Sequence, residues 1–175
     1  QMVDNLLNGD NFYSNDIRSR EIGRHSKYYD KPAKFCYEKY YASEGNDYFI
    51  SYESYDERAL FGFIRLRIVE EKNNMTKFDV LKKRGLIREL HVYGDTTAVN
   101  TYDKRGCQHT GIGKGLLQCA EIKTMEHGLY GIVVISGEGV KEYYEKRGYK
   151  DIDTFMIKDF WFYHVWYYYL KKNYY

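Results

Sequence analysis

Hydrophobic and polar residues follow a strand-like pattern from residue 36 onward. Residues 1–34 are polar and weakly patterned, which predicts a loose lead-in with one short helix. Segments 36–42 and 47–54 are rich in aromatic residues and alternate roughly between apolar and polar positions. Because the turn-forming stretch 43–46 separates them, they predict a β-hairpin.

Two further strands are predicted in the middle of the chain. Leu60–Val69 alternates apolar residues around Arg65 and Arg67, so it predicts a third strand with an arginine-bearing polar face. Residues 71–85 are polar and rich in lysine, and they predict an exposed insertion. Residues 87–93 then predict a fourth strand.

A long segment without an obvious pattern, 95–108, precedes the clearest helix signal. From Ile112 onward the apolar positions fall on one broad arc of a helical wheel, and His127-Gly128 predicts its end. The residues expected on that buried arc are Ile112, Leu116, Leu117, Cys119 and Ala120.

The end of the chain predicts a buried strand over 131–136, a short helix over 140–147 and a final strand region over 149–160. An aromatic tail, 161–175, follows. The order of elements predicts an α+β, or mixed α/β, domain with one central sheet over residues 35–160.

The amino-acid composition argues against several classes of protein. The chain has 175 residues, 43% hydrophobic and 30% charged, with a net charge of +2, which indicates one globular domain without a global polyanion-binding charge. Its three cysteines include no C-x-x-C pair, which argues against a disulfide framework and a zinc knuckle. Without a signal-peptide or membrane-spanning pattern, we expect a cytoplasmic location, with the nucleus as an alternative.

The glycine-rich motif Q-H-T-G-I-G-K-G at residues 108–115 is the main chemical signal. Between a strand and a helix, such glycines let a phosphate approach the free N–H groups of the first helical turn. The spacing excludes a Walker A loop, and Leu116 stands where a dinucleotide fingerprint needs glycine. The remaining pattern, Q-x-x-G-x-G, resembles the coenzyme A pyrophosphate loop of the GNAT acetyltransferase superfamily.

A second landmark of that superfamily is similar to residues 139–149, G-V-K-E-Y-Y-E-K-R-G-Y. On this match Tyr144 is the candidate general acid that protonates the departing thiolate, with Tyr143 as its alternate. Adjacent helical residues point about 100° apart, so the two hydroxyls cannot both reach one sulfur.

Five blocks in order resemble the C-terminal acetyltransferase domain of the Elongator catalytic subunit. They are D-I-R-S-R-E-I-G (16–23), F-I-S-Y-E (49–53), R-E-L-H-V-Y-G (88–94), Q-H-T-G-I-G (108–113) and V-I-S-G-E-G-V (134–140) with the tyrosine pair. The resemblance implies a GNAT fold with a mostly antiparallel sheet splayed at the acetyl-CoA site. The coenzyme-binding residues that it implies are Glu89, Leu90, His91, Val92, Gln108, His109, Gly111, Ile112, Gly113, Lys114 and Tyr144.

The departures from that family limit what the resemblance implies. The family's radical-SAM domain carries a C-x-x-x-C-x-x-C motif, which this sequence lacks, so we expect neither an iron–sulfur cluster nor SAM in this chain. Ser14 stands where a metal-binding cysteine is common, and no metal site is expected. The implied partners are acetyl-CoA, tRNA and Elongator-like proteins, without a membrane. If the basic stretches at 18–39 and 82–114 lie near the thioester cleft, they favour a polyanionic acceptor such as tRNA. Otherwise they form a solvated face, with one of them also serving the coenzyme A phosphates.

Several residues have two interpretations. Glu89 is a candidate catalytic base for an amine acceptor, or it forms an ion pair with Arg18, Arg20 or Arg65. His91, on the same strand face, is a candidate proton relay, or a half-buried structural histidine. The competing functions are a protein-lysine acetyltransferase and a non-catalytic remnant that binds tRNA or protein partners.

Overall fold

The computed structural model describes residues 16–69, 76–93 and 111–160. Within these ranges, seven strands form one sheet in the order β1-β2-β3-β4-β5-β7-β6, antiparallel except for the parallel pair β4 and β5. Their bounds are β1 Ala33–Ala42, β2 Gly45–Ser54, β3 Leu60–Val69, β4 Arg84–Val92, β5 Gly131–Ile135, β6 Lys150–Ile152 and β7 Phe155–Asp159. The predicted fold class is confirmed.

Three α-helices accompany the sheet in the described ranges: α1 Ile17–Arg20, α2 Ile112–Glu126 and α3 Lys141–Glu145. The Asp16 side chain caps α1 by accepting hydrogen bonds from the Arg18 and Ser19 amides at 2.8 and 3.2 Å. Short 3₁₀ turns are formed by Ile22–Arg24, Ser26–Tyr28, Asp79–Leu81 and Glu138–Val140.

The predicted hairpin is β1 and β2, joined by a tighter turn than the sequence indicates. The strands pair from Ala33 opposite Ser54 to Ala42 opposite Gly45, so only Ser43 and Glu44 lie between them. Both turn residues have positive φ, 46° and 62°, which matches the right-handed twist of the strands.

The hydrophobic core lies between the sheet and α2. Of the predicted helical arc, Ile112, Leu116, Leu117 and Ala120 are buried, while Cys119 is half-buried. Burial of one such large side chain contributes about 1.5–3 kcal/mol. Thr124 is also fully buried, because its hydroxyl donates to the Ala120 carbonyl at 2.8 Å.

Two boundaries differ from the prediction. β4 begins at Arg84, inside the predicted insertion 71–85, because Arg84–Ile87 pairs with β5. A side chain at Gly85 would have its Cβ 2.7 Å from the Thr124 hydroxyl oxygen, so the strand crosses the helix where it has no side chain.

The predicted final strand region is a hairpin rather than one strand. It consists of β6 and β7, with Asp153 at φ 57° in the turn between them. The described part of the lead-in contributes to the hydrophobic core, since Ile22 and Tyr28 are buried there. The boundary at residue 34 stays a prediction, and the segments 95–108 and 161–175 lie outside the described residues.

Candidate active site

The sheet opens between β4 and β5. The two strands pair only from Arg84 opposite Gly131 to Ile87 opposite Val134, although β4 continues to Val92. The register against β3 shifts at the same point, where Arg65 opposes Glu89 and Leu66 opposes Ile87, so that Arg88 is an extra residue. Such a bulge bends a strand and increases its twist, which moves the end of β4 away from β5.

The last residues of β4 present main-chain groups to this opening. The Tyr93 amide donates to the Phe61 carbonyl of β3 at 2.8 Å, so the main-chain groups of this residue face β3. Because these directions alternate along a strand, the amides and carbonyls of Leu90 and Val92 face away from β3, into the opening. Within the described ranges no strand pairs with them there.

The first turn of α2 lies beside the same opening. Gly111 precedes the helix with φ +87°, a left-handed conformation that favours glycine, and has no side chain to cap the helix. The first helical hydrogen bond runs from the Gly115 amide to the Gly111 carbonyl at 2.9 Å. The amides of Ile112, Gly113 and Lys114 therefore have no acceptor within the helix, which is the arrangement that binds anions.

Helix α3 brings Tyr143 to this turn. A Cβ placed on Gly113 would overlap the Tyr143 hydroxyl oxygen and would lie 3.4 Å from Cγ2 of Val92. Three predicted site residues from three elements, Val92, Gly113 and Tyr143, thus meet at the mouth of the opening.

Arg147, which the sequence analysis did not single out, holds Tyr143 in this position. Its guanidinium carbon lies 3.4 Å from the centroid of the Tyr143 ring, and its Nη1 donates to the Tyr143 carbonyl. Burial raises the pKa of Tyr143, and the positive charge of Arg147 opposes part of that rise. Tyr143 lies on α3 and Arg147 in the turn that follows it, and their i, i+4 spacing is the signal that predicts such a contact.

Tyr144 points instead into the core, with 6% of its surface exposed. Its ring packs edge-on against Tyr143 and Tyr149, at centroid distances of 5.3 and 5.6 Å. Burial, together with the neighbouring Tyr143, raises the pKa of the Tyr144 hydroxyl to about 12, so it stays protonated at neutral pH.

A part-buried network fixes the segment that follows α3 against α2. The Tyr149 hydroxyl donates to Glu121 at 2.9 Å, and the Lys158 ammonium lies 2.9 Å from both oxygens of the same carboxylate. Burial and the Glu121 charge raise the pKa of Tyr149, which keeps it a hydrogen-bond donor. The tyrosine pair therefore sits on a rigid support.

Glu89 lies on the opposite face of β4 and forms one of its predicted ion pairs. Its Oε2 is 3.6 Å from Nε of Arg65, and the two side chains are 43% and 40% exposed. Arg20, by contrast, pairs with Glu53 at 2.7 Å. On the same face as Glu89, His91 is exposed rather than half-buried, because it stacks over Phe63 at the surface of the sheet.

Residues of this second face border a cleft of about 400 Å³ between α1 and the sheet. Phe49 and Arg65 belong to the same row across the strands as Glu89, and both line the cleft. The cleft is mixed in charge, because Arg20, Arg65, Glu53 and Glu57 all line it. Of the coenzyme candidates on β4, Leu90 and Val92 therefore lie on the face opposite to Glu89 and His91.

Part of the predicted site lies outside the described residues. Gln108 and His109 of the glycine motif, and the neighbouring Cys107, precede the described residues that begin at Gly111. Of the other predicted residues, Leu90, Val92, Gly111, Ile112, Gly113 and Lys114 line or flank the opening.

Comparisons with known proteins identify relatives of this chain. No family model matches the chain. Elongator complex protein 3 of Schizosaccharomyces pombe is 40% identical over 147 residues, which cover 82% of this chain and 27% of that protein. The same protein of Saccharomyces cerevisiae is 38% identical and is covered to 26%.

This chain belongs to the Elongator complex protein 3 family. Among solved structures, archaeal Elp3 of Methanocaldococcus infernus, determined with residues 1–46 deleted, matches with a TM-score of 0.72 and 31% identity. That match covers 91% of this chain and 38% of the archaeal chain. The chain thus spans about a quarter of the length of its curated Elongator relatives. In the described residues, no helix is long and apolar enough to cross a membrane.

Proposed function

We propose that this domain binds acetyl-CoA in the opening between β4 and β5 and transfers the acetyl group to an acceptor on the opposite face of β4. The observation that carries the proposal is the convergence of an unpaired strand edge, an uncapped helix N-terminus and a tyrosine-bearing helix at one end of the sheet. Membership of the Elongator complex protein 3 family supports it.

The coenzyme would bind along this opening with its phosphates at α2. The free amides of Ile112, Gly113 and Lys114 suit the pyrophosphate, together with Gln108 and His109 of the same motif. The pantetheine arm, which carries amide groups of its own, would then pair with the main chain of Leu90 and Val92 as an additional strand does. A main-chain amide there would also polarise the thioester carbonyl.

In the reaction, the acceptor forms a bond to the acetyl carbon and releases its proton to solvent, and the carbon–sulfur bond breaks. The departing thiolate takes up a proton, and Tyr144 is the proposed donor. Its hydroxyl is protonated at neutral pH, as a donor must be when the sulfur leaves. The Glu121 network supports it further by fixing the helix that carries the tyrosine.

The acceptor would approach from the face that carries Glu89, Arg65 and the 400 Å³ cleft. A tRNA-bound group or water is the proposed acceptor, with tRNA and Elongator-like proteins as partners in the cytoplasm or nucleus. The exposed side chain of Lys114, in the first turn of α2, supports a polyanionic partner, whereas Arg88 lies 3.6 Å from the Asp47 carboxylate of β2. A lysine acceptor would need Glu89 as base, and the ion pair with Arg65 competes with that role.

Thiol release from acetyl-CoA, measured with no addition, with tRNA and with a lysine peptide, tests this proposal. Stimulation by tRNA supports it, and stimulation by the peptide alone identifies a lysine acetyltransferase instead. Absence of thiol release under all three conditions, despite bound acetyl-CoA, indicates a non-catalytic binding domain. A Tyr144→Phe variant assayed in parallel distinguishes enzyme-catalysed release from spontaneous thioester hydrolysis.

A further inference from the structure

Tyr143 and Arg147 lie together at the mouth of the opening, which is its end beside Val92. They do not lie at its apex, which is the point where β4 and β5 separate. β4 and β5 separate after Ile87, whereas the Tyr143 hydroxyl lies beside Val92 and Gly113. A strand rises about 3.3 Å per residue, so these five residues of β4 place the hydroxyl roughly 16 Å from the apex.

This position decides which part of the coenzyme Tyr143 can reach. If the phosphates lie on the first turn of α2, as proposed above, a hydroxyl in contact with Gly113 is beside the phosphates. The thioester sulfur lies at the far end of the pantetheine arm, deeper along β4. Tyr143 is therefore too close to the phosphate end to protonate the sulfur.

Arg147 adds a fixed positive charge to the same place. Its guanidinium is held flat over the Tyr143 ring and by the Tyr143 carbonyl, while its Nε is buried and has no hydrogen-bond acceptor among the described residues. Because the Nε is buried, a phosphate would meet the Nη groups of this planar guanidinium, whose geometry and charge suit phosphate oxygens. The adjacent Lys146 is not equivalent, because it is exposed and paired with Glu142 at 2.7 Å.

We infer that Tyr143 and Arg147 form a second wall of the coenzyme's phosphate site, facing the amides of α2. Tyr143 donates a hydrogen bond to an oxygen of the phosphate next to the pantetheine arm, and Arg147 positions the Tyr143 ring and attracts the phosphates. This inference rests on the proposed function and adds to it two residues that recognise the phosphorylated end of the coenzyme.

The test compares equilibrium binding of acetyl-CoA with binding of S-acetylpantetheine, which has the same thioester and no nucleotide or pyrophosphate. Arg147→Gln and Tyr143→Phe should each weaken acetyl-CoA binding about three- to tenfold, in the range of a single cation–π or hydrogen-bond contact. Neither substitution should change binding of S-acetylpantetheine. Lys146→Gln, which removes the same charge one residue away, is the matched control and should bind both ligands as the parent does.

Arg147→Lys keeps the charge but loses the flat stacking, so it should fall between the parent and Arg147→Gln. It also provides a folded variant if Arg147→Gln loses stability. Equal weakening for both ligands, or unchanged acetyl-CoA binding in Arg147→Gln, would overturn the inference while leaving the proposed function in place. A parent protein that binds neither ligand would overturn the proposed function itself.

Discussion

The hydroxyl group of Tyr143 lies against the α-carbon of Gly113, so that helix α3 closes on the first turn of α2. This contact depends on the glycine, because any side chain at position 113 would occupy the space of the hydroxyl oxygen. The glycine motif therefore has two roles in this fold. It leaves main-chain amides open to an anion, and it lets a tyrosine of another helix approach them.

The first prediction concerns Gly113→Ala. Glycine to alanine within a helix ordinarily adds about 0.5–1 kcal/mol of stability. Here the new methyl group would displace Tyr143 and narrow the phosphate site, so we expect acetyl-CoA to bind roughly tenfold more weakly, or about 1.4 kcal/mol. Thermal unfolding with and without acetyl-CoA measures this loss as a smaller ligand-induced shift.

Two variants control this experiment. Gly23→Ala has only the Glu21 carboxylate within reach, at 3.8 Å, so it should respond to acetyl-CoA as the parent does. Gly113→Ala combined with Tyr143→Phe should fold as stably as the parent, because the overlap is with the hydroxyl oxygen. If Gly113→Ala is stabilised by acetyl-CoA as strongly as the parent, the phosphate site is not at this turn.

The second prediction concerns Tyr144→Phe. Removing the proton donor should lower kcat by about 10²–10⁴-fold while acetyl-CoA still binds. Because the pKa of Tyr144 is about 12, the hydroxyl is protonated throughout the range from pH 6 to 9. The ratio of parent to variant activity should therefore be constant across that range.

Tyr143→Phe serves as the comparison, since it removes the neighbouring hydroxyl and should change acetyl-CoA affinity more than kcat. Equal activity of Tyr144→Phe and the parent at every pH would remove Tyr144 from the mechanism. A ratio that falls steeply between pH 7 and 9 would contradict a hydroxyl with a pKa of about 12.

The third prediction separates the acceptor classes through Glu89→Gln. With an amine acceptor, loss of the base should slow turnover by about 10²–10⁴-fold. We expect less than a tenfold effect, because the proposed acceptor is water or a tRNA-bound group. Arg65→Gln is the control for the exposed ion pair, whose loss should cost no more than about 1 kcal/mol. A large kinetic effect confined to Glu89→Gln would favour the lysine acetyltransferase.

The fourth prediction concerns the stability of the lead-in. Arg20 and Glu53 form an ion pair at 2.7 Å with side chains only 12% and 7% exposed. Arg20→Met should lower the free energy of unfolding by about 3–5 kcal/mol, because it leaves a buried carboxylate unpaired. Arg20→Met combined with Glu53→Met should recover most of that loss. Urea unfolding of Arg20→Met, Glu53→Met and the double variant measures these changes. If the losses of the two single variants simply add in the double variant, the pair is not coupled.

Elements with a strong periodic signal could be predicted from the sequence. The arc of apolar residues after Ile112 predicted helix α2, and the β-branched run after Gly131 predicted β5; both are present in the structure. The start of β4 was missed because Arg84 and Gly85 have no apolar alternation, and pairing with β5 rather than propensity makes them a strand.

The geometry of the site depends on contacts between distant elements. Helical spacing shows that Tyr143 and Tyr144 point apart, but only the packing of α3 determines which of them reaches Gly113. The bulge at Arg88 likewise has no signal in the local pattern, since it follows from the register of β4 against β3. The ranking of Tyr144 before Tyr143 as general acid stays a prediction.

The central claim is that acetyl-CoA binds along the open edge of β4 with its phosphates on α2. Titration of ¹⁵N-labelled protein with acetyl-CoA, followed through assigned backbone amides, tests it most directly. We predict the largest shifts at the amides of Leu90, Val92, Ile112, Gly113 and Lys114, with small shifts in the β1–β2 hairpin. Saturable binding whose shifts cluster around Glu53 and Arg65 on the opposite face, and leave Gly113 unchanged, would contradict the account.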